Sequence, residues 1–328
     1  MTRCYFLVAL GAALAAAASP AAADVVYLRN GDRISGTVVR KAGDTLRVRT
    51  DYAGELKIRW TEVREIVTEA PATVLLEDGA ELQATRLGGA DAAIPLERVA
   101  FLNPTPGQAG KGFDYSGTIT LAATYTRGNS DTDRLYGEAQ LRGRSRERRF
   151  SLGANGTYAS DRGARTASNW LANGDHDWFI RPREFLYARA SVEHDRFRDI
   201  DRRWTMGGGY GYQFIDTADT SLSLQGGLDY VIVERIMAAN EDSPALGWGL
   251  RYSQWLWERR AQVFHEQDGF RNLSDSRDVV VRTKTGLRIP VANGLNLTAQ
   301  LNLDWESDPA PGRSRTDSTW ILGLGYAF

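Results

Sequence analysis

Cysteine is almost absent from this chain: of 328 residues, only Cys4 carries a thiol. It lies ahead of the first apolar stretch, whereas a lipoprotein acylation site would follow it. Beyond that stretch no disulfide and no cysteine-ligated metal can form. Histidine is nearly as scarce, with His176, His194 and His265 the only three. None falls in an HExxH or paired-His spacing, which argues against a His-based zinc site. Net charge is missing too, since Lys+Arg 40 against Asp+Glu 41 leaves a formal −1. No global field therefore draws the chain to nucleic acid or to acidic surfaces. After the first two dozen residues there is no long apolar run, and the mean hydropathy is −0.38, which excludes helical membrane spans. A barrel of strands escapes that test, because half of each strand faces the lumen and dilutes the hydropathy.

What is present begins with a secretory signal over residues 1–23. Arg3 supplies the charged region, Tyr5 to Ala18 the apolar core, and Pro20 precedes an Ala21-Ala22-Ala23 cleavage site. This predicts export to the envelope of a Gram-negative bacterium.

Residues 24–103 read as a small β module. Short runs such as Val25-Val26-Tyr27-Leu28 and Leu56 to Trp60 are broken by Asn30-Gly31, Ala42-Gly43-Asp44 and Ala53-Gly54, a rhythm of short strands and tight turns resembling an SH3-like or Sm-like barrel. Val26-x-Leu28-x-Asn30-Gly31-x-x-Ile34 is echoed by Val74-x-Leu76-x-Asp78-Gly79-x-x-Leu82. A degenerate duplication, 24–70 and 72–103, is therefore expected, as one compact module or two. Sm-like folds often bind RNA, but residues 24–111 hold 12 basic and 13 acidic side chains with no basic stripe, so nucleic acid is not an expected partner. The module is expected in the periplasm, as a spacer or as a dock for peptidoglycan or a periplasmic protein. Residues 104–112, rich in Pro and Gly, read as a linker.

From 113 to 328 the texture changes to long alternating segments. Trp320, Leu322, Leu324, Tyr326 and Phe328 are large, and Gly323, Gly325 and Ala327 between them are small. A period of two sets the large residues on one face of a strand. Such a face suits lipid, and a terminal aromatic in this pattern resembles the assembly signal read by the bacterial barrel-insertion machinery. Extending the parity backwards gives about twelve segments, near 115–127, 132–143, 147–159, 166–180, 184–197, 202–215, 219–233, 246–257, 260–270, 277–291, 295–306 and 316–328. They run longer than the roughly 5–6 residues of globular strands. Short connections alternate with mostly longer ones. Even strand number and that alternation predict a twelve-stranded antiparallel transmembrane barrel, with outer-membrane lipid around it and short turns toward the periplasm. Trp170 and Trp178 can face lipid only if His176 does as well. A turn centred on Pro182 sets inward Asp175 opposite inward Arg189, and a three-residue loop Ala292-Asn293-Gly294 sets Arg282 opposite Asp304. Both pairs are predicted lumenal salt bridges.

Gly128-Asn129-Ser130-Asp131-Thr132, then Arg203-x-x-x-Gly207-Gly208-Gly209-Tyr210-Gly211-Tyr212, then Gly226-Gly227-Leu228-x-Tyr230, and the Gly325-Tyr326-Ala327-Phe328 ending resemble the YdiY-like, salt-induced outer-membrane protein family, domain of unknown function 481. The resemblance covers about residues 113–328 and lies in the order and spacing of the motifs together. It implies an outer-membrane location, a barrel and a link to salt or envelope stress. It brings no catalytic residue and no cofactor.

Catalytic constellations are correspondingly thin. Outer-membrane phospholipases place a Ser/His pair on the lipid face, and Ser253 and His265 could face neighbouring strands, but nothing in the sequence marks them as paired. Asp175, Asp177, Glu193 and Asp195 make an acidic inner patch that suggests omptin-like proteolysis, but Arg189 and Arg203 interleave with it, which favours charge pairing. Glu241 and Asp242, in the longest loop, could hold a divalent cation, but a solvated loop is the better reading. The expectation is a non-enzymatic barrel without catalytic, metal or cofactor residues, either a narrow passive pore or a structural envelope protein. The alternatives are an outer-membrane hydrolase and an envelope tether acting through the N-terminal module.

Overall fold

A computed structural model describes residues 23–90, 92–128, 131–275 and 277–328. The secretory signal, with Cys4, lies outside the described residues but for Ala23, as does the Asn129-Ser130 step of the first family motif. The chain divides into two compact units, 1–104 and 105–328.

The first unit holds β1 (Asp24–Leu28), β2 (Arg33–Ala42), β3 (Thr45–Thr50), β4 (Gly54–Arg59), β5 (Val63–Leu76), β6 (Glu81–Gly88) and β7 (Val99–Leu102). Its sheet runs β1-β5-β7-β2-β3-β4, and a further β1–β2 pairing closes β1, β5, β7 and β2 into a small ring. Likeness to an SH3 barrel goes no further than this ring. One core serves the whole unit, with Val26, Leu46, Val48, Ile66, Val74 and Leu102 all buried. The two halves of the sequence echo therefore fold as one module.

The echo itself is visible in the backbone. The Leu28 amide donates to Asp32 O at 2.9 Å and the Leu76 amide to Ala80 O at 2.9 Å. Asn30 and Asp78 each accept from the amide two residues on, at 3.1 and 3.0 Å. Gly31 and Gly79 follow at φ 96° and 87°, a region that L side chains rarely adopt. Among the core residues Lys41 is the exception in charge. It is 6 % exposed, with Nζ donating to Val99 O and Ala100 O at 2.6 and 2.7 Å and lying 5.0 Å from the Trp60 ring centroid. Burial pushes its pKa below the usual lysine value, against the pull of Glu77 and Asp44.

The second unit opens on hydrogen-bonded turns. Residues 105–112, linker-like in composition, are ordered by amides of Ala109 and Lys111 donating to Thr105 O and Pro106 O, both at 2.9 Å. Twelve strands follow: β8 (Asp114–Thr126), β9 (Thr132–Arg144), β10 (Arg148–Asp161), β11 (Ala164–Arg181), β12 (Glu184–Asp195), β13 (Ile200–Asp216), β14 (Thr220–Arg235), β15 (Glu241–Leu256), β16 (Ala261–Asn272), β17 (Val279–Ala292), β18 (Leu295–Glu306) and β19 (Thr316–Ala327). All pair with their sequence neighbours, and β19 pairs with β8 to close the barrel.

Parity holds around the wall. Leu322 is 81 % exposed and its neighbour Ile321 3 %. Trp320, Leu324, Tyr326 and Phe328 share the exposed face, while the lumen receives the polar alternates. Exposed apolar residues recur on strand after strand, as with Leu152, Leu186, Met206, Leu228 and Leu297. Trp170 and Trp178 are outward, and His176 goes with them, its ring 4.3 Å from that of Trp178.

Two hairpins keep the expected register by a different turn. Arg181 faces Glu184 across a two-residue turn, and a bulge between Phe179 and Arg181 supplies the missing residue. Ala292 likewise faces Leu295 across Asn293-Gly294, with a bulge after Pro290. Asn293 and Gly294 sit at φ 43° and 85°, the primed-turn geometry that matches strand twist. A bulge adds one residue to one strand, so the sum equals a three-residue loop. On the β14–β15 hairpin, pairing continues out to Val233↔Glu241, five residues beyond the start expected at 246.

The closing seam is the shortest ladder, with register pairs only from Leu324↔Leu121 to Ala327↔Thr118. Gly117 and Phe328 extend it by exchanging two backbone bonds, each 3.0 Å. The Phe328 ring lies where a Cβ on Gly117 would be.

Candidate functional site

The lumen is where polar chemistry concentrates, because the strand period sends every second side chain inward and charged and amide residues there sit beside apolar ones such as Phe185, Phe264, Phe270 and Val280. A cavity of about 220 Å³ runs inside the wall. Its lining passes from Arg149 and Ser221, near the short turns, to Arg198 and Val280, near the long loops. Uncharged polar residues such as Ser151, Asn155, Asn169 and Asn173 alternate along its lining with charged ones such as Asp175 and Arg189.

Asp175 and Arg189 are register partners, as are Arg282 and Asp304. The side chains distribute differently. Arg189 does not bind Asp175; its Nη2 and Nε go to Asp229, with Nε at 3.1 Å from Oδ1, and Nη1 lies 3.8 Å from Asp268. The expected Asp175–Arg189 salt bridge is thus corrected. An arginine is long enough to cross to β14, where Gly207 and Gly247 leave a slot for Asp229: a Cβ on either would collide with its carboxylate. Asp175 keeps a contact with Gln225 at 3.5 Å. Arg282 reaches Asp304 at 3.8 Å but binds Glu193 more closely.

Three layers cross the lumen. At the long-loop end Glu306 accepts from Arg198 and Arg203, both at 2.6 Å, and Arg203 also meets Glu193 at 3.0 Å. In the middle Glu138 on β9 collects Lys284 at 2.7 Å, Gln300 at 3.1 Å and the Tyr136 hydroxyl at 2.6 Å. Toward the short turns Arg142 binds Glu266 at 3.0 Å and Arg149 binds Asp177 at 2.5 Å. Tyr136 and Glu138 lie two apart on β9, and Arg203–Glu193 and Arg149–Asp177 are register partners on adjacent strands. The bonds of Glu306 to Arg198 and Arg203, of Glu138 to Lys284 and Gln300, and of Arg142 to Glu266 instead join segments far apart in the chain, where no sequence spacing marks them. Parity alone could have identified these groups as inward.

The acidic patch is accounted for by these pairings, since Asp177 and Glu193 are engaged as above. Asp195 caps a short 3-10 turn by accepting from the Phe197 and Arg198 amides at 2.9 and 3.2 Å. Ser253 faces Phe264 in register, and Tyr252 faces His265. Strand parity then puts Ser253 in the lumen and His265 on the outer face, where its Nδ1 lies 2.8 Å from Thr285 Oγ1. Glu241 is taken by Arg235, and Asp242 by the Tyr230 hydroxyl. Among the described residues no group of three His, Cys, Asp or Glu side chains is arranged to hold a metal.

A closed antiparallel wall, apolar without and charged within, leaves no backbone edge to lipid apart from its short seam. These features define an outer-membrane β-barrel protein. The chain belongs to the family described as "Protein of unknown function, DUF481", whose match covers residues 119–328. It is similar to the Escherichia coli K12 protein described as "Uncharacterized protein YdiY", at 22% identity over 264 residues, 80% of this chain and 99% of that one. Among solved structures, the translocator domain of the autotransporter NalP from Neisseria meningitidis aligns over 67% of this chain and 89% of its own, at 15% identity and a TM-score of 0.37. An outer membrane channel from Pseudomonas putida F1 aligns over 66% and 94%, at 11% identity and a TM-score of 0.39.

Proposed function

We propose that the barrel is a narrow passive pore for small polar solutes, with the short turns and the N-terminal module on the periplasmic side. The observation that carries this is the lumenal cavity, which reaches from near the short turns to near the long loops between charged walls. The crossing ion pairs narrow the passage, so a small conductance is expected. Planar-bilayer recording of the reconstituted chain tests the reading. Discrete conductance steps support it, and silence across several salts rejects it.

A second reading concerns the N-terminal module as a tether to peptidoglycan or a periplasmic protein. It is favoured by the module's own core and by β4 and β6, each paired on one side only in the described sheet, which leaves strand edges for a partner. Pull-down with residues 24–104 tests it; recovery of neither peptidoglycan nor protein counts against it. The link to salt or envelope stress is tested by growth of a deletion strain across osmolarity. Barrel-insertion machinery is proposed as an assembly partner through Trp320, Leu322, Leu324, Tyr326 and Phe328.

A further inference from the structure

Between the ion pairs of the lumen lies a row of neutral residues. Register carries it across five adjacent strands, from Gln140 to Gly153, Asn173, Ser191 and Thr205, and all of these residues line the cavity. One step toward the short turns, Ser151 faces Asp175; one step toward the long loops, Asn155 faces Leu171. These four line the cavity as well. The Asn173 amide lies along the wall over Gly153, where a Cβ would come within 2.6 Å of its Oδ1. Ser151, Asn155, Asn173 and Ser191 therefore share one patch of wall on three neighbouring strands. None of the four side chains hydrogen-bonds to another protein group among the described residues.

The charges around this patch are already committed to one another. Seven Lys or Arg line the cavity against seven Asp or Glu. Each of those cations makes a salt bridge to a carboxylate, Arg251 with Asp268 at 2.8 Å among them. An entering ion must take its partner from such a pair, and a pair broken inside the wall leaves a charge uncompensated. The amides and hydroxyls are under no such constraint. Each both donates and accepts, so a solute carrying hydroxyls replaces their water in kind. Asp175 hydrogen-bonds only Gln225, at 3.5 Å, and keeps acceptor capacity for a further hydroxyl. Leu171 sets an apolar side chain beside them, suited to the C–H groups of a ring. At about 220 Å³ the cavity is smaller than the roughly 300–1,000 Å³ of drug-sized pockets, which fits one ring and not a chain of them.

We propose that the middle of the lumen binds a small uncharged polyhydroxylated solute, the size of a single sugar ring, through Ser151, Asn155, Asn173 and Ser191, with Asp175 accepting a hydroxyl. The site deepens the pore reading and rests on it only in needing a lumen that admits solute.

The test is calorimetric titration of D-glucose, and in parallel of myo-inositol, into the full chain folded in a polyoxyethylene detergent, whose headgroup is not a sugar. Glycine, succinate and putrescine serve as charged probes. Saturable binding of at least one neutral probe is expected, tighter than that of any charged one. It should weaken by about fivefold or more in N173L and survive in R165Q, whose arginine is exposed beside the Tyr158 ring. Heat-modifiable migration shows that each variant is folded, and S151A/S191A carries the test if N173L is not. Absence of saturable binding by both neutral probes, tighter binding of a charged probe, or equal affinity in the folded variant overturns the proposal. Bilayer recording separates it from the pore reading: binding without conductance sinks the pore and leaves the site, whereas conductance without binding does the reverse.

Discussion

Arg189 gives its guanidinium to Asp229 on β14 rather than to Asp175, its register partner on β11. The side chains are held in a slot that two glycines keep open. Removing one partner leaves a charge buried without compensation, at a cost of about 3–5 kcal/mol, whereas replacing both by apolar groups is often neutral. Asp229→Ala should therefore lower unfolding stability by about that amount, and Arg189→Met with Asp229→Leu should recover most of it. Urea unfolding of the barrel in lipid vesicles measures both. Equal loss in the single and double variants would show that the pair does not act as a unit.

The outer face gives a second expectation. Leu228, in the middle of β14, is exposed on the lipid side. Leu228→Arg should cost about 2–4 kcal/mol if that position lies at the bilayer midplane. The same unfolding assay reads it, and a variant as stable as the parent would contradict the facing scheme.

Arg198 sits in a turn outside the wall and closes over the lumen to reach Glu306. Arg198→Ala frees the long-loop end of the cavity while Glu306 keeps Arg203. Larger single-channel steps are expected than in the parent; unchanged steps would remove Arg198 from the conduction path.

Lys41 makes the N-terminal module sensitive to pH. Its pKa in the folded state is lowered by burial, so between that value and the unfolded value of 10.5 the unfolded chain binds more protons. Stability contributed by this group therefore rises with pH through that window. Residues 24–104, followed by the fluorescence of Trp60, should show a urea midpoint that climbs toward pH 10.5. Lys41→Met should flatten the climb; a slope that persists in the variant assigns it to other groups.

Gly117 and Gly137 offer a matched pair at the first hairpin. A side chain on Gly117 would occupy the place of the Phe328 ring, whereas a Cβ on Gly137 meets only Leu121 Cδ2, at an ordinary 3.6 Å. Gly117→Val should reduce the heat-resistant folded band on SDS gels, and Gly137→Val should leave it. Equal behaviour would mean that Phe328 does not hold the seam.

Much of the fold was legible because a period of two is a local signal. The parity of Trp320 to Phe328, carried backwards, assigns the wall, and hydrophobic-out alternation does not depend on what fills the lumen. The registers of Asp175 with Arg189 and of Arg282 with Asp304 were readable for the same reason, although each turn is really two residues plus a bulge. Side-chain partners were not readable. Asp229 takes Arg189 from two strands away, in space left by Gly207 and Gly247, and Glu306 and Glu138 take Arg203 and Lys284 from strands far apart in the chain, choices set by reach. Residues 105–112 show the limit of composition: Pro and Gly announce a break in the strands, but Asp114 and the turn amides decide that the break is ordered.

The seam between β8 and β19 joins the two wall strands farthest apart in the chain by its shortest ladder. Long-range pairings form late, since loop entropy must be overcome first. Eleven hairpin contacts can thus zip locally while the sheet stays an open ribbon, and Phe328 meeting Gly117 turns ribbon into tube. In the reverse direction this short ladder is the expected line of splitting, which would make resistance to heat and detergent depend on one narrow strip of backbone more than on the average strength of the wall.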